Sequence, residues 1–197
     1  MENPAAPPHY RISGTRALWE GPLSALSRRA SDLRFSLWGN LGFLFRFTLF
    51  LLEKKHRIFN LHAGALYEPS RHRLFVIVGG AGSGKTVYLL SGLERGLSLF
   101  STETVHFRHE GRSVRWFMGS LVDNVRTGTL RRHFPRFLPA DAGVPPGDDW
   151  SKKRAIDLSS FRNPEESLVD PALVLLFPRV EEGSGSLCSG SSRTIGR

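Results

Sequence analysis

Eight consecutive residues carry the most specific chemistry in the chain: Gly79, Gly80, Ala81, Gly82, Ser83, Gly84, Lys85 and Thr86. They fit the spacing G-x-x-x-x-G-K-[ST] of a phosphate-binding loop. A diphosphate is dense negative charge and needs many donors at once. Backbone N–H groups turned inward around a tight loop supply them, and turning them inward needs unusual backbone angles without side-chain bulk. Lys85 then adds a full positive charge, directed at the β- and γ-phosphates. Thr86 offers a hydroxyl to a Mg²⁺ ion that would neutralise and orient the phosphates.

A loop of this kind works only between a strand and a helix. Leu74–Val78 is a short, apolar, β-branched run that reads as a strand buried on both faces. After the glycines, Val87, Leu89, Leu90, Leu93 and Leu97 recur at helical spacing from about Gly84, and Gly96 is placed to end the helix. The helix start leaves unpaired N–H groups and a positive dipole end facing the loop. On these residues the chain resembles the P-loop NTPase superfamily. The resemblance implies an α/β fold, a parallel sheet with flanking helices, and a Mg²⁺-bound nucleoside triphosphate, GTP or ATP, as ligand. It rests on Leu74 to Phe100.

Cleavage asks for more, notably an acid at a strand end to hold the Mg²⁺ shell and a group that places water. Asp157 follows only Ala155 and Ile156, which makes it a weak match and a natural helix-cap or loop residue. Asp148 and Asp149 stand in a Pro/Gly-rich loop. The GTPase patterns D-x-x-G and N-K-x-D do not occur. The stretch "GSGKTVYLLSGLERG", followed by a hairpin and "LVDNVRTGTLRRHFP", looks like bacterial double-GTPase-type domains, with Thr127 or Thr129 in the place of a switch threonine. The Pro-Thr element of that family is replaced here by "LRRHFP", and a plain loop is the simpler reading of either threonine. Arg126, Arg131 and Arg132 could touch phosphates, though arginines in such places are more often solvated. The expected function is therefore triphosphate binding with Lys85 as the catalytic cation and a GTPase-like hydrolysis. The alternative is a nucleotide-dependent scaffold with little cleavage, and a small-molecule kinase ranks last.

The rest of the chain must position this loop. With 197 residues and 40% hydrophobic content it can bury one ordinary core. We expect a flexible segment over residues 1–30, an apolar and basic helical segment over 31–60, the P-loop domain over 61–180, and a disordered Ser/Gly-rich tail over 181–197. The domain reads as short for its kind, hence truncated or divergent. Val105 and Phe107 alternate toward Val114 and Trp116 across Glu110-Gly111, a hairpin pattern. A second helix is expected from Trp116 to Arg126, and "PALVLLF" is a further buried strand.

The apolar run Leu37–Leu52 is short for a bilayer, and Arg46 interrupts it. It reads first as a helix packed on the domain or a partner, and second as an interfacial helix held by phospholipid charge. The net charge of +9 favours anionic partners. Because the arginines are scattered along the chain, no specific nucleic-acid site is evident. A lone Cys188 cannot form an internal disulfide. The expected setting is cytoplasmic, with residues 35–57 available for association with an anionic membrane surface or a protein partner.

Overall fold

The computed structural model describes residues 9–13, 16–20, 39, 42–80, 82–138 and 150–178. Ala81 of the loop, Asp148, Asp149, most of 31–41 and the tail from 179 lie outside the described residues. The chain divides into two compact units with interleaved sequence.

The first unit draws on Met1–Leu61, Thr104–Gly119 and Pro164–Pro171. Strands β1 (His9–Ser13) and β2 (Arg16–Glu20) pair antiparallel, within the stretch expected to be a flexible lead-in. Helix α1 runs from Phe43 to His56 and stops where Arg57 turns left-handed at φ 56°. The apolar N-terminal helix expected over 31–60 is not met as drawn. Among the described residues of 31–60, α-helix is confined to these 14, and its last turn is the charged Glu53-Lys54-Lys55-His56. No described helix is long and apolar enough to cross a membrane.

The unit's sheet is antiparallel throughout. It is built from β3 (Phe59–Leu61), β7 (Val105–Glu110), β8 (Ser113–Phe117) and β11 (Ser167–Val169) in the order β11-β8-β7-β3. The alternation that pointed to a hairpin does make one, with Phe107 opposite Trp116 and Gly111 at φ 65° in the turn. Phe59, Phe107, Trp116 and Leu168 line one face in register. The other face carries Asn60, His106, Arg108, Glu110 and Arg115, as the two-residue period of a strand demands.

The second unit holds His62–Glu103, Ser120–Asn163 and the chain from Ala172. Its main sheet has β4 (Ala63–Glu68), β5 (Arg73–Val78), β6 (Ser98–Ser101) and β12 (Ala172–Leu176) in the order β12-β5-β4-β6. Here the expected parallel P-loop sheet is contradicted. Only β12 runs parallel to β5, whereas β4 is antiparallel to both β5 and β6. The reason lies in one connection. A parallel pair needs a crossover of a dozen or more residues. β4 and β5 are joined by a single 3₁₀ turn, Pro69–Arg71, with His72 left-handed at φ 46°. Such a link can only make a hairpin.

Helix α2 (Lys85–Glu94) lays Leu89, Leu90 and Leu93 on this sheet. They join Leu66, Ile77 and Leu99 in a core closed by Val125, Leu130, Phe134, Phe137, Ile156 and Leu158. Each such side chain contributes roughly 1.5–3 kcal/mol when fully buried. Contact between α2 and β4 is close at Gly92, where an added Cβ would stand 2.2 Å from Leu66 Cδ1. β9 (Val122–Arg126) and β10 (Lys153–Asp157) form an antiparallel ribbon, and helix α3 (Thr127–His133) follows β9 directly. The helix expected over Trp116–Arg126 is thus two strands. In β9 the pattern is strict period two, with Asp123 and Val125 buried and Val122, Asn124 and Arg126 exposed.

Candidate functional site

The loop leaves β5 at Val78 and enters α2 at Lys85. Its glycines are used differently. An added Cβ at Gly79 would fall 2.3 Å from Ser83 Oγ, so the loop closes over that position. Gly82 and Gly84 sit at φ 83° and 97°, the left-handed region where a side chain is strained. Gly80 has open space around it. Gly84 is the helix cap, and its carbonyl accepts the first helical bond from Tyr88 N at 3.1 Å. No side chain caps this helix start and no acid lies in its first turn. Its leading N–H groups and dipole are therefore not neutralised by a carboxylate of the same turn.

Lys85 curls back over the loop. Its ammonium donates to Gly79 O at 2.6 Å and Gly80 O at 3.1 Å. A lysine in this position is held at the loop mouth rather than extended into solvent. The Ser83 hydroxyl is buried and has no hydrogen-bond partner. A buried hydroxyl without a partner is costly, and such groups are uncommon in native folds.

Thr86, one residue into α2, donates its hydroxyl to Asp123 Oδ2 at 3.1 Å. Asp123 is 4% exposed. Burial and the neighbouring charge of Glu103 push its carboxyl above the usual carboxylate range, while bonds from Thr86 Oγ1 and Asn124 N and the charge of Lys153 pull the other way. Thr102 sets the strand that presents it: its N–H bonds Ser120 O at 2.8 Å, and its hydroxyl lies 2.7 Å from Val122 O. Glu103 in turn lies 3.8 Å from His62 Nδ1.

Asp123 does not stand out in the sequence, because it does not end a long apolar run. "LVDNV" offers only Leu121 and Val122 before it. The signal present was period two, with the acid on the buried face.

The other sequence candidates are placed elsewhere. Asp157 ends β10 and accepts a bond from Ser159 N at 2.8 Å, which lowers its pKa. Thr127 is fully buried and gives its hydroxyl to Lys152 O at 3.0 Å. Arg126 and Arg132 are exposed, and Arg131 lies over Trp150. Among the described residues no group of three or more His, Cys, Asp or Glu is placed to hold a metal ion.

The residues present nevertheless fit a Mg²⁺-bound phosphate group. The loop offers a cradle that a side chain would fill, a buried hydroxyl without a partner, a lysine bonded only to carbonyls, and a threonine facing a buried acid. No protein-family model and no curated protein matches the chain.

Proposed function

We propose that the second unit binds a nucleoside triphosphate through residues 79–86 with Mg²⁺, and hydrolyses it in a GTPase-like manner. The observation that carries the reading is the Thr86–Asp123 pair beside Lys85. It brings a hydroxyl, a carboxylate and an ammonium to one end of a helix. Mg²⁺, when bound, would neutralise phosphate charge and polarise the phosphoryl group.

The chain's own residues do the rest. Lys85 exchanges its two carbonyl partners for phosphate oxygens, and charge-assisted bonds of that kind are about twice as strong as neutral ones. The N–H groups at the start of α2 add donors along the dipole. Asp123 holds Thr86 in the rotamer that faces the loop mouth, and the two would serve the metal directly or through its waters. This phosphate site draws on the end of β5, the loop, the start of α2 and Asp123 of β9. It does not need the parallel sheet that the structure lacks.

Binding without cleavage is a second reading, favoured by one observation. The Thr127 hydroxyl is committed to Lys152 O and so is not directed at the loop. The same reading places the chain in the cytoplasm, where Mg²⁺-nucleotide is abundant, with membrane association through residues 35–57.

Fluorescent GTP and ATP analogues titrated with and without Mg²⁺, followed by phosphate release, test the proposal. Saturable Mg²⁺-dependent binding that Lys85→Ala weakens about 10- to 150-fold is expected. A wild-type chain that binds neither nucleotide would refute it, and binding with background release would select the second reading. Sedimentation with anionic vesicles tests the membrane element, and a chain left in the supernatant removes it.

A further inference from the structure

We propose that the Arg126–Lys153 end of the β9–β10 ribbon, continued by α3 and Trp150 and away from the Asp157 end, is a track for single-stranded nucleic acid. In sequence the cations involved are spread from residue 126 to residue 153. Folding gathers them.

Arg126 and Lys153 are direct cross-strand partners on the exposed face of the ribbon. Like charges held opposite one another destabilise a strand pair. An anion lying across both relieves that repulsion. Lys152 precedes Lys153 and is exposed, as is Arg132 on α3. Two backbone bonds fasten this corner together, Thr127 N to Lys152 O at 2.9 Å and Gly128 N to Trp150 O at 3.0 Å. They lay residues 150–152 along the first turn of α3.

Trp150 is the second and independent observation. It is 56% exposed, and its backbone is tied to α3. Gly128 lies under it so closely that an added Cβ would stand 2.9 Å from Trp150 Cε3 and 3.1 Å from Trp150 O. The Arg131 guanidinium lies 6.0 Å from the ring centroid. A half-exposed indole against a glycine, with a guanidinium over its ring, offers an aromatic and cationic surface on which a base can stack, with the Arg131 side chain as the mobile cover.

Single-strand binders combine a cationic path for the backbone with aromatic faces for the bases. An acidic peptide would satisfy the cations but make no use of the indole face. Duplex bases are already stacked and would not reach it. The chemistry therefore selects an unpaired, phosphate-bearing strand. This surface is independent of the triphosphate reading.

The test is fluorescence anisotropy of the full chain with labelled oligothymidylate of about 16 nucleotides, a length within the usual site size. Saturable binding at low salt is expected. If Arg126, Arg132, Lys152 and Lys153 each neutralise one phosphate, the log–log salt slope should be roughly −2.8, at about 0.7 per contact. Replacing both Lys152 and Lys153 with Ala should halve that slope. Trp150→Ala should weaken binding about 5- to 150-fold, the range of one lost base stack. Trp150→Phe should restore most of it, and Trp150→Ala should leave triphosphate binding unchanged. Two results would overturn the proposal. One is no anisotropy change at low salt. The other is oligothymidylate binding that Trp150→Ala leaves intact and polyglutamate displaces as well as oligothymidylate does, which identifies a surface for acidic protein.

Discussion

The polar faces of the two units solve opposite problems. In the first unit, the β7–β8 hairpin gathers charge and satisfies it locally. Glu110 accepts from the guanidinium groups of both Arg108 and Arg115, and Arg115 also reaches Ser167. His106 bonds Asn60 across the β3–β7 pair. In the second unit the loop end of α2 is left with unmet demands. Lys85 has only carbonyls for partners, Ser83 Oγ has none, and Asp123 is buried with its pKa raised. A surface that pairs its own charges is structural. One that withholds partners stores binding capacity, at the expense of stability.

That contrast can be broken experimentally, beginning with the support beneath the loop. Leu90→Ala empties a fully buried position under α2 and should destabilise the chain by about 2–5 kcal/mol in chemical denaturation. A loss below 1 kcal/mol would show that the α2 core does not hold the loop.

Lys85→Ala should leave the denaturation midpoint unchanged, because its bonds are to loop carbonyls at the surface. It should cost about 1.5–3 kcal/mol of triphosphate affinity, as expected for hydrogen bonds to a charged group. An equal drop in stability would place Lys85 among structural residues and erase the contrast.

Asp123→Asn sharpens the comparison further. It removes a buried charge beside Glu103 and keeps an acceptor for Thr86. The melting temperature should hold or rise, while the Mg²⁺ dependence of nucleotide binding weakens. A clear fall in melting temperature with unaltered Mg²⁺ dependence would make Asp123 a structural residue.

The smallest effect belongs to the first unit. Glu110 is held below the usual carboxylate range, chiefly by its bond from Arg108. Its contribution is present above the unfolded-state pKa and is lost as pH falls through the lower folded value. Glu110→Gln should therefore flatten the acid limb of a stability–pH profile below about pH 4.3 and leave the neutral region nearly unchanged.

Much of both units is legible wherever local pattern decides structure. The strand into the loop, α2 and its end at Gly96, and the β7–β8 hairpin all follow from period, glycine placement and β-branched content; "ALVLL" is the strand expected, but at the sheet edge and not buried, with Leu173 and Leu175 exposed. Sheet direction was not legible, because it depends on β4. "AGALYE" is half small residues and carries little strand signal, yet its four-residue link to β5, Pro69 to His72, fixes the antiparallel arrangement. The β9 strand has a helix-like sequence, since the apolar residues of "WFMGSLVDNV" satisfy either period over so short a run. That ambiguity also hides Asp123, whose role depends on meeting Thr86 across 37 residues of chain. The grouping of Arg126 with Lys153 was hidden for the same reason, since register is not a property of either segment alone.

The pairing of β5 with β12 has a kinetic consequence. On one side β5 is zipped to β4 by a tight local hairpin. On the other, Arg73 meets Ala172 across about a hundred residues of chain, the kind of non-local closure that slows folding. The hairpin can form early. The full setting of the loop's strand must wait for the distant partner. Competence to hold phosphate should thus be acquired as a late event in refolding, lagging the first burial of the β4–β5 pair.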